Sequence, residues 1–92
     1  MNNQNTQMTT EEWVEYGIQR IKNKSFTFKD LFRRDIKAIV YEKLLKEVED
    51  GLANDIVISA IVDYQVEQVK MGRVNIDDVS ILIKDKVFEK IN

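Results

Sequence analysis

The chain has 92 residues, of which 43% are hydrophobic, 33% charged and 9% aromatic, with a formal net charge of −2; this is the profile of one globular domain with a thin core. It contains no Cys and no His, which removes disulfides, thiolate and imidazole metal sites and the commonest general base. No apolar run reaches the roughly 18 residues of a membrane span, and the polar, Asn/Gln-rich Met1–Met8 stretch has neither region of a signal peptide. The expectation is a cytoplasmic protein with a disordered tail over residues 1–8 and a single helical domain over residues 9–92.

The first predicted helix runs from about Thr10 to Lys24. Thr9 and Glu12 have capping-box spacing. Trp13, Val14, Gly17, Ile18 and Ile21 fall on one stripe about 140° wide, which assigns Trp13 to the core. Gly17 inside that stripe costs about 1 kcal/mol relative to Ala, so close approach of another helix is its expected reason.

The second segment is short. Thr27 and Asp30 repeat the capping spacing, Phe26 can staple onto Leu31, and Phe28, Leu31 and Phe32 form an apolar edge that ends near Arg34. A third helix over Ile36–Asp50 has Asp35 as its expected N-cap, Ile36, Val40, Leu44 and Val48 at a spacing of four, and Gly51 as its stop. Two arrangements stay open: a break at Asp35, which is preferred here, or one continuous helix of about 23 residues through it.

The fourth predicted helix, Asp55–Met71, has Asn54 as cap and Gly72 as stop. Ile56, Val57, Ala60, Ile61 and Tyr64 lie on one side of it and Ile58, Val62, Val66 and Val69 on the other, which makes it either the central helix or part of a dimer interface. A fifth helix over Ile76–Ile91 is capped by Asn75, with Asp77 and Asp78 favourable against its dipole. Short strands within residues 56–62 and 79–83 are the minority alternatives. The predicted fold is all-α: a compact bundle of about five helices, with spacing compatible with a helix-turn-helix at residues 27–50.

Charge is unevenly distributed. Residues 20–46 carry nine basic side chains against Asp30, Asp35 and Glu42, an excess of six positive charges in an otherwise acidic chain. A short helix, a tight turn and a longer helix is the order of a helix-turn-helix, whose second helix enters the major groove of duplex DNA. On this reading Lys22, Lys24, Lys29, Arg33 and Arg34 neutralise phosphates, and Lys37, Ala38 and Tyr41 lie nearest the bases. The competing reading makes the same run a solvated or partner-binding face. The third helix lacks the Gln, Asn or paired Arg that commonly read bases.

The stretch Phe26-Thr27-Phe28-Lys29-Asp30-Leu31-Phe32 resembles an uncharacterised, winged-helix-like family of short proteins from Gram-positive phages and mobile elements that carries F-T-x-K-D-L-F. The resemblance covers these seven residues and implies a helix-turn-helix beginning at Thr27. Downstream the family has a Trp and R-x-x-L-G-x-x-F, whereas this chain has Lys37-Ala38-Ile39-Val40-Tyr41-Glu42-Lys43, and no C-terminal hairpin is evident to serve as a wing.

Chemistry is sparse. Ser25, Ser59 and Ser80 have no His to activate them, and the pairs Glu11/Glu12 and Asp77/Asp78 are explained by helix first turns. Residues 50–55 lack the ligand alternation of a calcium loop. No enzyme, metal or cofactor is expected. Tyr16 and Ile39, with Ile58, Val62, Val66 and Val69 of the two-sided fourth helix, are the candidate surface for self-association or a protein partner. Two readings result. One is a dimeric, DNA-binding regulatory or accessory protein of a bacterial mobile element. The other is a non-enzymatic interaction module, such as a phage-encoded inhibitor, immunity protein or antitoxin, without nucleic-acid contact.

Overall fold

The computed structural model describes residues 8–92, so the expected tail lies outside the described residues except for Met8. Four α-helices are present among them: α1 (Thr10–Lys22), α2 (Arg34–Glu49), α3 (Asp55–Lys70) and α4 (Lys84–Ile91). The all-α class holds, and no strand forms at 56–62, 79–83 or elsewhere among these residues.

Helix α1 begins as its sequence dictates. The Glu12 amide donates to Thr9 Oγ1 at 3.1 Å, and the Thr9 amide donates to Glu12 Oε1 at 2.8 Å, a reciprocal capping box. Asn54 caps α3 with a one-way bond, its Oδ1 accepting from the Val57 amide at 3.1 Å. The first three helices end alike, with the second amide beyond the cap bonding back to a carbonyl five residues earlier: Ser25 to Arg20, Leu52 to Glu47, Arg73 to Gln68. This ending requires a left-handed residue, supplied by Gly51 and Gly72 (φ 75° each) and, after α1, by Lys24 (φ 63°).

Two expected helices are not formed as such. The Thr27/Asp30 signal is real, with the Thr27 amide donating to Asp30 Oδ2 at 2.8 Å, but it closes only a single 3-10 turn, Phe28–Asp30. The chain then extends through Leu31–Arg33, and α2 starts with Arg33 rather than Asp35 at the N-cap; Asp35 sits in the first turn. The break is therefore present, a few residues early. Extension is favoured because it sends alternate side chains to opposite sides. Leu31 enters the core at 4% exposure while Phe32 points outward at 93%. With one 3-10 turn ahead of α2, the helix pair expected at residues 27–50 is not formed by two α-helices.

The expected fifth helix is likewise divided, into a 3-10 turn at Ile76–Asp78, an extended Val79 and the shorter α4. Ser80 explains the interruption: its Oγ accepts from the Leu82 amide at 3.2 Å, a local bond that competes with the helical ladder. Val79, Ile83 and Val87 still reach the core, and Ile81 and Leu82 stand at the exposed tip of the turn.

Helix α3 is the central element, packing against α1, α2 and α4. Val57, Ile61, Val62 and Val66 fill the middle of the core with Val14, Ile18 and Ile21 of α1 and Ile36, Val40 and Leu44 of α2. Phe28 stacks on Tyr64 with ring centroids 4.5 Å apart, and Tyr41 tilts against the same ring at 5.4 Å. A Lys22–Glu47 ion pair of 3.0 Å crosses between α1 and α2.

Candidate functional site

The loop from Lys24 to Arg33 separates two concave surfaces. The first is an apolar cleft of about 490 Å³ between α1 and the extended segment. Trp13 and Tyr16 meet edge to face at 5.8 Å and Tyr16 meets Phe26 at 5.6 Å, making a short aromatic ladder along its wall. The Arg20 guanidinium braces that ladder from behind, 5.6 Å from the Tyr16 ring centre and 5.1 Å from Phe26, a cation–π arrangement. Phe32 stands almost wholly exposed at the edge. The neighbouring charges are already engaged: Asp30 with Thr27, and Arg33 with Asp35 through a forked contact whose Nε–Oδ1 arm is 3.0 Å. That guanidinium holds the Asp35 carboxyl below the usual carboxylate range.

The second surface is a groove of about 1090 Å³ along the outer side of α3. Its floor includes Phe28 and the half-buried Ile56, Ala60 and Tyr64. One wall carries Lys24, Lys29 and Lys37, contributed by three different segments; the other is the α3 row Asp55, Ser59, Asp63 and Glu67, with Arg73 at the end of the groove past α3, the row being spaced by four and hence on one face. Burial raises the pKa of the Tyr64 phenol, with Arg73 and Arg34 partly opposing.

The expected phosphate contacts are thus divided. Lys24 and Lys29 share the groove. Lys22 is held by Glu47 and Arg33 by Asp35, while Arg34 opens α2. Of the residues expected nearest the bases, Lys37 lines the groove and Ala38 is exposed, but Tyr41 is a correction: it is 7% exposed, packed on Tyr64 inside the core.

The expected partner surface divides as well. Tyr16 is on the aromatic cleft. Val62 and Val66 are corrections, both buried in the core that α3 forms with the neighbouring helices. Ile39, Ile58 and Val69 are half-buried and pack against the core. Trp13, assigned to the core from its stripe, is 37% exposed because Val14, Gly17, Ile18 and Ile21 alone face inward. The sequence reading missed Phe32 as a surface residue. The signal was there once the short helix is reduced to one turn, since Leu31-Phe32 then alternates in and out.

Among the described residues no helix is long and apolar enough to cross a membrane, and no group of three or more His, Cys, Asp or Glu is placed to hold a metal ion. Comparison of the chain with protein-family models, with curated proteins and with solved structures gives no match.

Proposed function

We propose that the chain is a non-enzymatic protein-interaction module that seats apolar side chains of a partner protein in the cleft between α1 and Phe32. The observation that carries this reading is Phe32 itself, 93% exposed beside the aromatic wall of Trp13 and Tyr16. A lone exposed apolar residue is ordinary. A contiguous aromatic surface with a concave centre is the form of a docking site, where Trp and Tyr are enriched among the energetically dominant residues. The charges nearby have partners within the chain, so the cleft selects by shape and apolar fit.

The test compares wild type with Phe32→Asp as bait in nuclease-treated extracts of cells that express the protein. Recovery of a defined protein by wild type, lost with Phe32→Asp while the far-ultraviolet spectrum and melting midpoint stay unchanged, is the expected result. Equal recovery by both baits would remove the cleft from the interaction.

A second reading, contact with duplex DNA, is favoured by Lys24, Lys29 and Lys37 lining one groove, none of them in an ion pair among the described residues. Lys and Arg that neutralise phosphates make affinity fall steeply with salt. A duplex-binding series at rising salt, repeated with Lys24→Ala/Lys29→Ala, decides it: a flatter slope in the variant supports phosphate contact, and absence of binding at low salt removes it. The acidic row on the opposite wall disfavours a polyanion lying along this groove, and for that reason the reading stands second. The mobile-element origin implied by the Phe26–Phe32 resemblance accommodates either.

A further inference from the structure

The groove along α3 makes a different demand from the aromatic cleft. We infer that it is a seat for an amphipathic helix of a partner protein, one bearing carboxylates on one flank, ammonium or guanidinium groups on the other, and apolar side chains between them. Length sets the class of occupant. Helix α3 has 16 residues, about 24 Å at 1.5 Å per residue, and the groove follows it from Asp55 to Met71. An apolar floor of that length between polar walls is the geometry in which helices bind by residues at i, i+3, i+4 and i+7.

Charge sets the flanks. Lys24, Lys29 and Lys37 on one wall, Asp55 and Glu67 on the other, and Arg73 at the end past α3 form no ion pair among the described residues; Asp63 is engaged, with Lys90 at 2.9 Å. Opposite charges facing each other across an apolar strip without meeting are complementary to an occupant with the reverse order of charge. A uniformly charged ligand matches one wall and is repelled by the other. The Met1–Met8 stretch has no charged side chain and so lacks this complement.

Two details fit the assignment. Ser59 and Ala60 are small and sit midway along α3 at the groove, leaving room for a helix backbone to approach. Lys24 occupies a left-handed position at which glycine would be unstrained, so a strained residue places an ammonium on the rim; sites of this kind are where backbone strain is retained.

The experiment selects from a displayed library of 18-residue peptides against the full chain. The library fixes apolar residues at helical spacing and varies both flanks among Glu, Lys and Gln. The expected outcome is enrichment of peptides with Glu on one flank and Lys on the other. These should bind at least tenfold more weakly to Ser59→Arg, which obstructs the groove from an exposed position, and to Lys24→Glu/Lys29→Glu/Lys37→Glu. Phe32→Asp should leave their affinity unchanged, which separates this site from the cleft. Four outcomes overturn the proposal: no enrichment, enrichment of flanks of one sign, equal binding to Ser59→Arg, or displacement of no peptide together with tight binding of duplex DNA to the same lysines.

Discussion

Gly17 and Leu31 approach so closely that a β-carbon on the glycine would lie 2.9 Å from Leu31 Cδ2 and 3.6 Å from Val40 Cγ2. The glycine in the middle of α1 is thus the socket for the extended segment that follows the 3-10 turn, and it fixes where that segment crosses the helix. Gly17→Ala gains about 1 kcal/mol of helix propensity but overpacks a filled site, which costs roughly 1–3 kcal/mol. The expected net result is a loss of about 1 kcal/mol by urea unfolding. In a Leu31→Ala background the steric cost disappears, and the same substitution should become stabilising. Equal effects in both backgrounds would show that the contact is not why glycine stands there.

Lys24 offers the opposite case. Its φ of 63° places an ordinary side chain in the conformation that Gly51 and Gly72 adopt at the ends of α2 and α3. The left-handed penalty for an L-residue is about 1–2 kcal/mol, partly offset by the greater unfolded-state freedom of glycine. Lys24→Gly should therefore stabilise the chain by about 0.5–1 kcal/mol, read as a higher urea midpoint at unchanged slope. The same variant should weaken the enriched peptides, so stability and binding move in opposite directions.

How far the sequence revealed this structure depended on whether the deciding interaction was local. Thr9, Glu12 and Asn54 act within three residues of themselves, and the starts of α1 and α3 were legible for that reason. The Thr27/Asp30 box was equally legible but says only that a turn begins. Where it stops is set by Leu31 reaching Gly17, a contact between segments. The interruption at Ser80 was readable in principle from a hydroxyl within an apolar run, but the spacing of Val79, Ile83 and Val87 suits a helix and a broken path equally, and all three are buried in the latter. For the surfaces, the basic window contains Lys24, Lys29 and Lys37, which line one groove. The acidic row of α3 is itself legible as a spacing of four, but its place opposite these lysines arises only once α3 packs against α2 and the turn at Phe28–Asp30.

Gln65 is the polar residue within the core of α3, 7% exposed, and its Oε1 has no hydrogen-bond partner. Its side chain lies beside the Tyr41 phenol and partly opposes the burial that raises that pKa. An unsatisfied buried polar atom costs roughly 1–3 kcal/mol, and a typical net hydrogen bond returns about 1 kcal/mol. Gln65→Met keeps length and removes the orphaned oxygen, so it should raise stability by about 1 kcal/mol. A loss on that substitution would mean that the amide is satisfied in solution.

Alkaline pH tests the same corner of the core from the other side. Burial raises the Tyr41 phenol above its ordinary pKa, with Gln65 partly opposing. The unfolded chain therefore ionises first, from about pH 10, while the folded chain keeps its proton. The group makes no difference to stability below the unfolded value. Above it, the unfolded state gains by releasing a proton that the native state still holds, so stability falls as pH rises towards the raised folded value. Tyr64, also raised by burial, adds a loss of the same sign. Tyr41→Phe should thus narrow the drop in urea midpoint between pH 9 and 11 relative to wild type, and absorbance at the phenolate band should rise later in the folded than in the urea-unfolded protein. Parallel loss of stability in wild type and Tyr41→Phe would place the Tyr41 hydroxyl in water and remove it from the packed face it shares with Tyr64.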